Sequence, residues 1–88
     1  MISKKERSII KKLAVRYRAK QVLLFGSSLS KKSAHDIDLA VEGVPAKSFF
    51  KFYGELLFSL PKPVDLIDLS RDSKFTRLIR QEGLAIYG

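Results

Sequence analysis

Apolar positions return along this chain at two different spacings, and the change from one to the other marks its elements. Ile2, Ile9, Ile10, Leu13 and Tyr17 fall on one side at helical spacing, which predicts an amphipathic helix from Lys4 to Arg18. Val22-Leu23-Leu24-Phe25 is a continuous apolar run with the length of a buried strand, predicted from Gln21 to Phe25, and it breaks at Gly26. From Asp36 the period becomes two. Ile37, Leu39 and Val41 alternate with Asp36, Asp38, Ala40 and Glu42, which predicts a strand from Asp36 to Val41 with one apolar and one carboxylate-bearing face. A short helix or turn is expected between the two strands, from Ser27 to Ser33.

Pro45 then opens a helix that runs to Leu60 and is stopped by Pro61 and Pro63. Its stripe is Phe49, Phe52, Tyr53, Leu56 and Leu60, flanked by Phe50 and Leu57, while Phe58 points away from it. That excess of aromatic surface reads either as a partner surface or as a face covered by another element. Val64 to Leu69 predicts a third strand, Asp72 to Gln81 a last helix with Ser70 as its cap, and Leu84 to Tyr87 a short final strand. Strands alternate with helices over short connections, so the expected fold class is α/β, a small mixed β-sheet with helices packed on it.

The candidate chemistry sits where strands end. A helix beginning at Ser27 would aim free N–H groups at an anion, and the Ser27 hydroxyl adds a donor, so Gly26 and Ser27 form a candidate phosphate cradle. Same-face neighbours on a strand lie about 6.6 Å apart at Cα, which suits Asp36 and Asp38 to grip metal ions spaced about 3.5–4 Å. Their mutual repulsion favours a compensating divalent cation, and hard oxygen donors favour Mg2+ or Mn2+. In Val64-Asp65-Leu66-Ile67-Asp68-Leu69, Asp65 and Asp68 are three apart and must face opposite sides of a regular strand.

Gly-Ser after a strand, Asp-x-Asp on the next and a further Asp on a later one resembles the DNA polymerase β nucleotidyltransferase superfamily, most closely its minimal nucleotidyltransferase branch. The similarity runs from the first helix to the closing Arg80-Gln81-Glu82-Gly83-Leu84-Ala85-Ile86-Tyr87. It implies the polymerase β palm-like fold. It also implies that Gly26 and Ser27, with Ser28, Lys31 and Lys32, hold a triphosphate, and that Asp36, Asp38 and Asp65 form a catalytic, metal-binding triad. The implied activity is transfer of a nucleotidyl group from a nucleoside triphosphate, ATP by the resemblance, with loss of pyrophosphate. The implied partner is a helical HEPN-type toxin, modified on a tyrosine, with this chain as antitoxin.

The family pattern is altered in one place. Where Arg-x-Arg-Gly usually follows Gly-Ser, this chain has Ser28-Leu29-Ser30-Lys31-Lys32-Ser33, and lysine lacks the planar fork of arginine. A second reading is therefore a catalytically weak or inactive antitoxin that works by binding its partner. A third comes from charge: the net charge is +8, and eight of the seventeen basic residues lie in the first twenty positions. Such a surface attracts nucleic acid, triphosphates or an acidic protein, or is simply a solvated helix face. No helix-turn-helix, zinc-finger or RNP-type pattern accompanies it.

The length of 88 residues leaves room for one domain and none for a separate substrate domain. Without cysteine there is no disulfide or thiolate metal site, and no apolar run approaches the roughly 20 residues of a membrane span. Ser3-Lys4-Lys5-Glu6-Arg7 follows Ile2 in place of a signal-peptide core, so the expected location is the cytoplasm. His35, beside the acidic pair, reads as a polar loop residue or a substrate contact; a lone histidine builds no metal site.

Overall fold

The computed structural model describes residues 2–26 and 36–88. Its elements are α1 (Lys4–Arg16), β1 (Gln21–Leu24), β2 (Ile37–Glu42), α2 (Ala46–Ser59), β3 (Val64–Asp68), α3 (Lys74–Glu82) and β4 (Leu84–Tyr87). The strands form one mixed sheet in the order β3-β2-β1-β4. β1 is antiparallel to both β2 and β4, whereas β2 and β3, joined through α2, run parallel. This is the expected α/β architecture.

Alternation along the strands decides what each face of the sheet does. Val22, Leu24, Ile37, Leu39, Val41, Val64, Leu66 and Ile86 point to one side and join Ile10, Leu13 and Ala14 of α1 and Phe52 and Leu56 of α2 in the main core. The other side carries a smaller cluster, Leu23, Ala40, Leu69 and Ile79, with Phe25 and Ile67 against it, under α3. A register shift between Val22 and Leu23 in the β1–β4 pairing lets the sheet's last strand bury Ile86 while Leu84 and Ala85 stay exposed. α1 and α2 are pinned at their sides, where Glu55 accepts hydrogen bonds from Arg16 (2.9 Å) and from the Tyr17 hydroxyl.

Several boundaries differ from expectation. α1 stops at Arg16 because the chain turns left-handed at Arg18 (φ 57°), with the Ala19 N–H donating to Ala14 O (2.9 Å) and the Arg18 N–H to Val15 O (3.1 Å). That is a helix stop usually built on glycine, here carried by arginine, so no residue type announces it. The last helix begins at Lys74, two residues late. Its cap is Ser73, whose side chain accepts from the Thr76 N–H while Thr76 Oγ1 accepts from the Ser73 N–H. Ser70, the expected cap, instead donates its N–H to Asp68 Oδ1 (2.9 Å). β2 begins at Ile37, whose N–H donates to Pro63 O (2.9 Å), so Asp36 lies in a bend ahead of the ladder. No helix among the described residues is long and apolar enough to cross a membrane.

Candidate active site

The acid-bearing end of the sheet is built by three strands meeting in register. β1 runs out at Leu24, opposite Leu39, and the Phe25 N–H extends the pairing by donating to Asp38 O (3.0 Å). On the other side of β2, Asp38 is the register partner of Asp65. Register neighbours on adjacent strands project to the same face, so the parallel pairing sets the Asp38 and Asp65 carboxylates side by side. Asp38 is half-buried and Asp65 exposed. Asp68 pairs with Val41, a core-face position, and its carboxylate accepts the Ser70 N–H. The expected split between Asp65 and Asp68 is therefore present in the backbone.

Gly26 closes the site from the β1 side. Its φ of +65° is one that L side chains rarely adopt, and a Cβ built on it would lie 2.8 Å from Asp38 Oδ2. The backbone thus passes directly against the carboxylate, an approach only glycine permits. Beside Gly26 lies a cavity of about 240 Å³ between Phe25 and Phe75, whose rings meet edge to face with centroids 5.9 Å apart.

The structure brings Gly26, Asp38 and Asp65 together. Asp36, exposed in the bend, precedes them by one turn of the pleat, and among the described residues no three acidic or histidine side chains converge closely enough to hold an ion. Ser27, Ser28, Lys31, Lys32 and His35 lie outside the described residues, as does the short helix or turn expected from Ser27 to Ser33.

One feature of the acid face had no signal in the sequence. At its far end Glu42 accepts from Arg80 (2.9 Å), and the same guanidinium donates to Leu69 O (3.0 Å), clamping α3 across the sheet. On the exposed rim of α3, Arg77 and Asp72 pair through two hydrogen bonds (2.9 and 2.8 Å), which lowers the Asp72 pKa and raises that of Arg77. Nothing local links residues 38 positions apart, whereas Asp-x-Asp is local and therefore visible.

Residues 7–88 match the family described as polymerase beta, nucleotidyltransferase. Among solved structures, a mutant of the toxin–antitoxin pair MntA–HpeT is 26% identical, with a TM-score of 0.74, covering 100% of this chain and 74% of that one. The MNT antitoxin in complex with the tri-AMPylated HEPN toxin of Shewanella oneidensis is 25% identical, with a TM-score of 0.72, covering 94% of this chain and 70% of that one. A further solved structure from Shewanella oneidensis, 18% identical with a TM-score of 0.76 and coverage of 99% and 73%, shares the fold. No curated protein matches the chain.

Proposed function

Because the chain belongs to the polymerase β nucleotidyltransferase family, we propose that it transfers AMP from ATP to a hydroxyl, a tyrosine of a helical HEPN-type toxin, and so acts as that toxin's antitoxin. The observation that carries this reading is the backbone of Gly26 set against Asp38, with Asp65 in register beside it. A glycine-lined approach to paired carboxylates on neighbouring strands is what phosphoryl chemistry requires: close backbone access for the donor and acceptors for a cation. The AMPylated toxin bound to an MNT antitoxin, at 25% identity, supports both acceptor and partner.

The donor set suits a hard divalent ion, Mg2+ or Mn2+, because it consists of carboxylate oxygens, and the bare backbone of Gly26 approaches Asp38 more closely than any side chain would allow. Asp38 and Asp65, side by side in register, would hold it, with Asp36, which does not converge with them in this structure, joining them when the ion binds. The ion would supply charge neutralisation at the triphosphate. The protein's own contribution is orientation and proton transfer. Gly26, with Ser27, Ser28, Lys31 and Lys32 after it in sequence, holds the triphosphate so that the acceptor hydroxyl attacks the α-phosphorus in line with the departing pyrophosphate. Asp65, the exposed acid of the pair, faces the incoming hydroxyl and accepts its proton as the new P–O bond forms.

The test is incubation with α-labelled ATP, Mg2+ and the HEPN-type protein of the same genome. Label on the toxin, lost on digestion of its tyrosyl phosphodiester, is the expected result. A stable complex without label would make the chain a binding-only antitoxin, the reading favoured by the lysines that replace the Arg-x-Arg-Gly run. Neither label nor complex, with retention of the basic chain on nucleic acid, would return the function to charge alone.

A further inference from the structure

α2 has a face that none of the described residues covers. Phe52 and Leu56 are fully buried and Phe49 and Tyr53 pack beside them, but Phe58 is 92% exposed, Phe50 79% and Leu57 48%. Positions 50, 54, 57 and 58 recur at helical spacing, so the three apolar side chains surround Gly54. Gly54 is a glycine without a local reason. It lies inside the helix, has no left-handed φ, and a Cβ built on it would meet nothing within 4 Å among the described residues. Glycine is the poorest helix former after proline, so the position weakens α2 and leaves a bare notch between aromatic rings. The distance at which two helices cross is set by the side chains at the contact, and a glycine there allows the closest approach.

We propose that this notch receives an amphipathic, acid-flanked helix of the partner, crossing α2 at Gly54; the identity of that partner as a HEPN-type protein rests on the reading above. Charge selects the occupant. Lys47 and Lys51 are exposed on the same side of α2 as Phe58, and the helix's only acid, Glu55, is taken by Arg16 and Tyr17. A second copy of this chain would bring lysines and no available carboxylate to the same patch, on a body that also carries +8. An apolar stripe with carboxylates at its margins satisfies both the rings and the lysines, the helix-in-groove mode of recognition.

The test co-expresses the chain with the HEPN-type protein of its own genome and substitutes the photocrosslinker p-benzoylphenylalanine for Phe58, Phe50 or, as a control on α3, Leu78. Crosslinks are expected from the first two and not from the third. Gly54→Leu fills the notch and is expected to weaken the complex about a hundredfold, on the scale of an interface hot spot, without lowering the melting temperature. Lys51→Glu is expected to weaken it about tenfold. Phe58→Ser, which removes a side chain that supports nothing in the fold, keeps the patch testable should Gly54→Leu fail to express. A complex that crosslinks only through Leu78, or that tolerates both Gly54→Leu and Phe58→Ser, overturns the patch and leaves the partner reading standing. No complex at all defeats the partner reading and the patch with it. A crosslinked dimer of this chain alone would make a second copy the occupant and overturn the proposal.

Discussion

The two faces of the sheet are made by the same strands and do opposite work. One is sealed: eight side chains from the four strands interlock with α1 and α2, and Leu24, Ile37, Leu39 and Val41 are all but inaccessible. Among the described residues the other is covered by α3, through Ile79, Phe75 against Phe25 and the Arg80 clamp, and it carries Asp38 and Asp65 beside Gly26. Adjacent residues of β2 therefore do different work: Leu39 is sealed in the core, and Asp38 stands in register beside another carboxylate. Like charges on facing positions of paired strands repel each other.

The sharpest way to break that contrast is to change neighbours. Asp38→Asn is expected to reduce nucleotidyl transfer about a thousandfold or more, because it removes a carboxylate from the reacting centre. Its stability should change by no more than about 0.5 kcal/mol by urea denaturation, since asparagine keeps the size and shape of the side chain and the repulsion with Asp65 is relieved. Leu39→Ala should do the reverse. It opens a cavity in the sealed face and is expected to cost about 2–5 kcal/mol, a large part of the about 5–15 kcal/mol that holds a small domain folded. A stable Leu39→Ala with impaired transfer would mean that the two faces are not separable.

Gly26→Ala probes the boundary between the faces. The new methyl would meet Asp38 Oδ2 at 2.8 Å on a backbone at φ +65°, so a loss of about 1–2 kcal/mol is expected together with a fall in transfer. Loss of stability without loss of transfer would separate Gly26 from the chemistry.

The smallest effect concerns the sealed side alone. Its hydrogen bond to Glu55 raises the Tyr17 pKa above the usual value of about 10. The fold therefore binds the phenolic proton more tightly than the unfolded chain does. The resulting stabilisation is complete below about pH 10 and is lost as pH rises through the folded value. Tyr17→Phe should abolish that alkaline decline in the denaturation midpoint while leaving transfer at neutral pH intact; an unchanged decline would place its origin elsewhere.

How much of this was legible depended on how local the cause was. β2 announced itself because period two with carboxylates on one side has few other meanings, and β4 because a glycine precedes a four-residue apolar run. The end of α1 was invisible because Arg18 performs a glycine's role, and the start of α3 was misplaced because Ser70, Asp72 and Ser73 all resemble caps until Thr76 is seen to reciprocate with Ser73. The site was legible as residue types and order. The pairing of Asp38 with Asp65 depends on which strands run parallel, a choice made by α2 carrying the chain back across the sheet. Phe58 was legible as excess; Gly54 was not, because only the structure reveals that nothing among the described residues occupies the space above it.

The central claim is that transfer belongs to the face of β3 that carries Asp65. Nucleotidyl transfer measured beside chemical denaturation for Asp65→Asn and Asp68→Asn tests it most directly, because three positions on one strand separate the two faces. Asp65→Asn should be inactive and no less stable than the parent, and Asp68→Asn, whose carboxylate only holds the Ser70 turn, should remain active. An active Asp65→Asn beside a folded but dead Asp68→Asn would contradict the account and move the chemistry to the other side of the sheet.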